Sequence, residues 1–379
     1  MIELKGMAWD HPRGYEPLRA ASKEFSKLHL EVSIKWDVRS LKEFGDMPIE
    51  SLIERYDLIT IDHPYMGQAD KNGLLQALES HISKASLNKL EEQSVGPSFK
   101  SYQYNNHIYA LPIDAAALVG AYRNDIVENR GLVLPKTKEE LKRFYCHLPN
   151  DLSIAWALCP TDFWCTFLTL CAQSNGRDFI NGQGIDLEIG IRVLDEIKSH
   201  LDYLHPRSME WNPIQILDHM GANDDIVYSP YLFGYTNYSR LGYAKNLVHF
   251  CNSPQNKEGI STILGGVGLA VSSHSSVADL AAKFVEFVAG EVIQEGIFTD
   301  NGGQPGNLRA WTSSKNNELC NNFFKDTLHT LETAYVRPQF PGWNQFQEQG
   351  ADMLHAGVAA YRNSRSVIKN LNELYQTII

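Results

Sequence analysis

No run of about 18 or more apolar residues occurs in the 379-residue chain, so no membrane-spanning helix is predicted. A basic excess is missing too. Lys and Arg number 34 against 45 Asp and Glu, a net charge of −11, which argues against a nucleic-acid or anionic-membrane partner and toward a small molecule. The cysteines, Cys146, Cys159, Cys165, Cys171, Cys251 and Cys320, form no CxxC pair and no Cys/His cluster at zinc spacing. No metal site is expected from them. They read as buried, reduced thiols, since a chain of this length builds a full core without disulfides. The start, Met1–Trp9, lacks a basic n-region, an apolar h-region and a small-residue cleavage site, and reads directly as a strand. The sequence as it stands therefore predicts a cytoplasmic protein, or a periplasmic or extracellular one whose export signal has been removed.

The signatures of several common chemistries are also absent. GxSxG, HExxH and EF-hand patterns do not occur. Gly265-Gly-Val-Gly268 lacks the lysine of a phosphate loop, precedes its strand and fails GxGxxG, so no nucleotide cofactor is expected and close backbone approach is the better account. No internal repeat, low-complexity segment or flexible linker is visible. Apolar residues at 43% and charged residues at 21% are ordinary for a folded protein, and the length predicts about two domains. Two domains with no linker suggest a chain that crosses between them more than once.

What is present begins with a βαβαβ rhythm. Leu4–Trp9 predicts a strand, Tyr15–Leu28 an amphipathic helix, Leu30–Trp36 an alternating strand, Pro48–Arg55 a short helix and Asp57–Ile61 a strand. That order predicts an α/β fold with a parallel, twisted sheet, in which ligands sit beyond the carboxyl ends of strands. The segments after the strands, Asp10–Tyr15, Asp37–Leu41 and Asp62–Gly67, carry the functional expectation. Further on, His107–Tyr122 is extended and apolar, and Thr137 with Glu140 has capping-box spacing ahead of a helix to Cys146. Phe163–Gln173, Leu187–Leu204 and Ser275–Ala289 predict helices, Asp225–Tyr231 a strand, Asn301–Gly306 a tight turn, and the chain beyond about Asn316 mostly helix.

Two concentrations of chemistry stand out. Asp10-His11-Pro12 and Asp62-His63-Pro64 repeat one triplet at two strand ends, which would bring two imidazoles and two carboxylates to one rim, for binding or for acid/base work. Arg13 beside the first triplet can fork onto a ligand carboxylate or phosphate; the plainer account is a surface arginine pairing with a neighbour. The second is aromatic. Tyr228, Tyr231, Phe233, Tyr235 and Tyr238 fall within residues 228–238, with Trp164 and Trp343 elsewhere. Flat rings with polar edges suit stacking on sugar faces; packing of a core is the alternative.

Taken in order, His107–Asp114, Tyr122-Arg-Asn-Asp125, Leu134-Pro-Lys-Thr137, Gly265–Val271 with the helix after it, Gln294 and Asn301-Gly-Gly-Gln-Pro305 resemble the extracellular solute-binding proteins of ABC importers, the group that includes maltose- and other sugar-binding proteins. The resemblance covers nearly the whole chain. It implies a two-lobed periplasmic-binding fold of type II with a ligand cleft between lobes that close by hinge motion. Lobe I would take 1–113 and 265–313, and lobe II 114–264 and 314–379. Expected ligand contacts from the strand ends are Asp10, His11, Arg13, Tyr15, Arg39, Asp62 and His63. Asp114, Gly266, Gly303 and Gln304 would add to them, and Trp164, Tyr231 and Tyr235 would supply the aromatic faces. The implied partners are a small polar solute, with a sugar acid or other small carboxylate suggested by Arg13, and an importer permease if the protein is exported. No cofactor and no nucleic acid are expected, and the protein would act as a monomer. The second reading is a cytoplasmic lyase, isomerase or hydrolase on the same fold, with His11 or His63 as general base oriented by Asp10 or Asp62.

Overall fold

A computed structural model describes residues 1–40, 43, 49–175, 178–255 and 259–379. The chain divides into two compact units, each assembled from separate stretches of sequence. The first holds Met1–Ala116, Gly265–Glu318 and Val336–Trp343; the second holds Ala117–Leu264, Leu319–Tyr335 and Asn344–Ile379. None of the six cysteines is disulfide-bonded.

The first unit is built on β1 (Ile2–Trp9), α1 (Pro12–Leu28), β2 (Val32–Arg39) and β3 (Leu58–Ile61). β1 lies between β2 and β3, parallel to both, and the strand Leu264–Val271 runs antiparallel on the far side of β3. Period-two alternation sorts the side chains of β1. Leu4 and Ala8 face one core with Leu18, Ala21 and Phe25 of α1 and Phe284 and Val285 of the helix Ala278–Ala289. Met7 faces another with Ile59, Ile61, Met66 and Tyr102. Burial of each such large side chain is worth roughly 1.5–3 kcal/mol. These two faces hold the sheet rigid, so the loops leaving its ends have a fixed platform.

Several elements begin or end away from their expected limits. α1 starts at Pro12, three residues before the periodic pattern, because Pro12 at its first position has the right φ in advance and His11 caps it. β2 extends to Arg39 rather than stopping at Trp36, so part of the expected Asp37–Leu41 loop is strand and Leu41 lies outside the described residues. Pro48, the expected start of a helix, also lies outside them; Ile49–Ser51 forms one tight turn of helix. The segment 336–342, expected to be helical, is non-helical. Pro338 and Pro341 account for this, since each denies its neighbours a helical hydrogen bond.

In the second unit, Ile226–Phe233 pairs antiparallel with the end of the long strand Ala110–Tyr122 and parallel with Ser153–Ile154. Its register slips between Ser229 and Leu232, where Pro230 has no N–H for the ladder. Thr137 and Glu140 close a full capping box at the start of Lys138–His147. Helices Pro160–Asn175, Leu187–Leu201 and Ser364–Ile378 complete the frame. Among the described residues no helix is long and apolar enough to cross a membrane.

Candidate functional site

The carboxyl ends of β1, β2 and β3 and the amino end of the antiparallel Leu264–Val271 fall at one edge of the first unit's sheet. Trp9 stands opposite Arg39 in register, and Asp10 donates its N–H to the Arg39 carbonyl at 2.7 Å. The expected residues of these strand ends therefore share a rim, and their side chains divide into three groups.

The first group surrounds the start of α1. His11 Nδ1 accepts the N–H of Arg13 at 3.0 Å, the capping bond of the helix. Burial first, and the positive charge of Arg13 second, bring the His11 pKa down to about 4, so the ring is neutral at physiological pH. The Arg13 guanidinium forks onto Asp114, with Nε to Oδ2 at 2.8 Å and Nη2 to Oδ1 at 2.5 Å. Arg13 thus pairs with a protein carboxylate inside its own unit, as the plainer account had it, but it is buried rather than at the surface. Burial raises the Asp114 pKa and Arg13 opposes that rise. Tyr15 packs at the edge of the core, and its ring lies 4.5 Å below the guanidinium carbon of Arg19. Among the expected contacts of this group, Asp10 alone is exposed.

The second group surrounds the end of β3. Asp62 Oδ1 accepts the N–H of His63 at 2.8 Å, and Oδ2 accepts from Arg337 Nη2 at 2.6 Å. Burial pushes the Asp62 pKa up, but the Arg337 charge and the bond from His63 outweigh it and hold the carboxyl well below its usual range. His63 is fully buried, edge-on to Tyr102 at 6.4 Å. Burial lowers its pKa and Arg337 adds to that, while Asp62 works the other way. Gln339 donates to the carbonyls of His63, at 3.0 Å, and of Ser101. Arg39, also buried, donates to the Thr60 carbonyl at 2.9 Å, and burial lowers its pKa. Arg337 and Gln339 were not among the expected residues. Their signal was a pair of prolines, Pro338 between them and Pro341 just after, which mark an extended strap rather than a helix.

The third group is backbone. Gly266 has φ +114°, and a Cβ there would collide with the Asp114 carbonyl and the Ala115 Cα. This is the close approach expected of the glycine-rich segment. Gln304 Nε2 donates to the Ala115 carbonyl at 2.8 Å, and its own carbonyl accepts the Ala115 N–H at 3.0 Å. A Cβ on Gly303 would strike the Phe298 ring. All three therefore have structural employment at this edge.

The expected aromatic contacts belong to the second unit and are interior. Trp164 is wholly buried, edge-on to Phe346 at 5.3 Å and closed over by Gly350, where a Cβ would come within 2.8 Å of the indole. Tyr231 stands edge-on to Trp156 at 5.1 Å and donates its hydroxyl to the Pro254 carbonyl at 3.2 Å. Tyr235 is also buried. Core packing explains these rings as they stand.

As chemistry, the rim offers fixed acceptors and donors whose charges are already balanced by neighbours. It holds two buried imidazoles, whose pKa values burial lowers, and two buried guanidinium–carboxylate pairs. A family model described as bacterial extracellular solute-binding protein matches residues 52–318. No curated protein matches the chain. Among solved structures, maltose-bound MalE3 of T. maritima superposes with a TM-score of 0.85 at 15% identity, over 100% of both chains. A solute-binding protein of an ABC transporter from Agrobacterium radiobacter, in complex with ribitol, gives 0.83 at 18% identity, over 100% of this chain and 99% of that one. One from Thermotoga lettingae bound with α-D-tagatose gives 0.79 at 16% identity, over 99% and 100%. At such identities the likenesses establish the fold, which is that of the periplasmic-binding proteins.

Proposed function

We propose that this chain, which belongs to the bacterial extracellular solute-binding proteins, captures a neutral sugar or sugar alcohol and delivers it to an ABC importer. The family is extracellular, which favours the exported place over the cytoplasmic one. It is a family of binding proteins, so the lyase, isomerase or hydrolase reading built on the two Asp-His-Pro triplets has no support from it. We take the two units as the lobes that the resemblance implies, with 114–116, 314–318 and 336–343 in the first unit rather than in lobe II, and a single copy would present the solute to the permease.

The observation that carries the choice of solute is the charge pairing at the strand ends. Arg13 faces Asp114 and Arg337 faces Asp62, so both guanidiniums are balanced by carboxylates of the first unit. A ligand carboxylate placed there would have to compete with a fixed protein carboxylate at 2.5–2.6 Å. Hydroxyl groups need no such exchange: they accept from donors and give to acceptors in turn. This shifts the expectation from sugar acids, which a free Arg13 would have favoured, to neutral polyhydroxylated solutes. The relatives bound to maltose, ribitol and tagatose are consistent with that class.

A thermal-shift panel tests it. Ligand at about 100 times its Kd stabilises the folded state by about 2.7 kcal/mol, enough for a shift of several degrees. Neutral sugars and polyols should raise Tm, and gluconate or glucuronate should not. Stabilisation by the acids alone would contradict the proposal.

A further inference from the structure

Outside the strand-end rim, the second unit brings two imidazoles and a carboxylate to one point. We propose that His205, His219 and Asp225 form a binding site for a divalent transition-metal ion of the Zn²⁺ class. Among the described residues this is the one place where three such groups converge, with their ligand atoms all within 4.8 Å of one another. His219 Nε2 lies 2.7 Å from Asp225 Oδ1, and His205 Nε2 lies 3.6 Å from Asp225 Oδ2. Ligands around a tetrahedral zinc, with bonds of about 2.0–2.1 Å, stand about 3.3 Å apart. These two spacings bracket that value and the third pair lies within 4.8 Å, so modest side-chain rotations would bring all three onto one ion.

Each group is anchored by a different piece of secondary structure. His205 donates its backbone N–H to the Ile154 carbonyl at 2.7 Å. His219 sits in the last turn of the helix Pro213–Ala222, and Asp225 immediately precedes the strand Ile226–Phe233, with its carbonyl accepting the Ser153 N–H at 2.6 Å. Trp211 stacks on His205 at 4.9 Å and 17°, and its ring centroid is 5.0 Å from that of His219. One indole thus restrains both imidazoles. The Asp225 side chain is 44% exposed, which leaves an entry path and room for water in the fourth position.

The proton inventory is balanced. His205 Nδ1 accepts the Arg207 N–H at 3.2 Å and His219 Nδ1 meets the Asn223 amide at 3.3 Å, so each neutral ring carries its proton on Nε2, toward Asp225. When a metal takes the Nε2 lone pairs, each proton moves through solvent to Nδ1, with no net release. Asn223, whose Nδ2 also donates to the His219 carbonyl at 3.1 Å, then swings aside so that water accepts from His219 Nδ1 as the outer-shell partner. His205 gives up only its long bond from Arg207. Two imidazoles and one carboxylate select zinc, copper, nickel or cobalt over magnesium and calcium, which prefer all-oxygen sites.

The test uses the tag-free full chain after dialysis against a chelator. Titration calorimetry with Zn²⁺ should give one equivalent with a micromolar or lower Kd, and Co²⁺ should give the visible bands of a four-coordinate site. His205→Gln and His219→Gln should each weaken Zn²⁺ binding at least 10-fold, and the double variant should lose the Co²⁺ bands. Asp225→Asn, a change at a half-exposed side chain, provides the same readout if either histidine variant loses its circular-dichroism signature. Absence of Zn²⁺ binding, equal preference for Mg²⁺, or unchanged affinity in the folded variants would overturn the site.

Discussion

Arg13 and Asp114, 101 positions apart in sequence, are joined by two parallel hydrogen bonds in the interior of the first unit. The pair ties the first helical turn of α1 to the strand Ala110–Tyr122, so it stands at the base of the rim and determines its charge. It is a positioning contact that leaves the rim electrically balanced, and the preference for neutral solutes rests on that balance.

Breaking this pair should be costly and replacing it should not. Removing one partner of a buried ion pair leaves an uncompensated charge and typically costs about 3–5 kcal/mol. Asp114→Ala should therefore lower the urea midpoint of the first unit's transition sharply. The double change Arg13→Met with Asp114→Leu should recover most of the loss, because a well-packed apolar pair of similar volume is often neutral. A double variant as unstable as the single one would show that packing, not charge, holds this contact.

Asp62 should make stability depend on pH in a predictable direction. Its folded pKa is depressed by Arg337 and the His63 bond, below the value of about 3.9 in an unfolded chain. Between the two values the unfolded state binds more protons, so the contribution is full above about pH 5 and is lost as pH falls toward the folded value. The stability gap between wild type and Asp62→Asn should be widest at neutral pH and narrow steadily below pH 5. Denaturant titrations at several pH values measure it; a gap that does not change with pH would contradict the assignment.

Gly266 should tolerate no side chain, in contrast to Gly73. Both have positive φ, +114° and +59°, but a Cβ at Gly266 would collide with backbone while one at Gly73 would meet nothing within 4 Å. Gly73→Ala should cost about 1 kcal/mol, the ordinary left-handed penalty. Gly266→Ala should cost more than twice that, or displace Ala115 and the Gln304 bonds with it. Equal melting temperatures for the two variants would rule out the proposed close approach.

The parallel sheet was legible because period-two and period-3.6 patterns alternate along the first 61 residues, and the triplets after β1 and β3 marked its functional edge. The start of α1 was hidden by Pro12 and Gly14, which read as a turn when taken alone. Arg337 was hidden by distance: it reaches Asp62 across 275 positions, from a strap with no periodicity of its own. The tyrosines of 228–238 advertised aromatic faces, but composition does not say which way a ring points, and their burial is a tertiary result. His205, His219 and Asp225 matched no ligand spacing because a loop, a helix and the turn before a strand each contribute one.

The most direct measurement is titration calorimetry of a neutral solute from the panel against wild type and Asp10→Ala. Asp10 is the exposed carboxylate at the end of β1, beside the buried His11 and the Arg13–Asp114 pair. A hydrogen bond to such a charged acceptor contributes about 1.5–3 kcal/mol, so its loss weakens binding about 10- to 100-fold. Asp10→Ala should show that loss with an unchanged melting temperature of the free protein. Full affinity in Asp10→Ala would place the solute elsewhere and contradict the proposal.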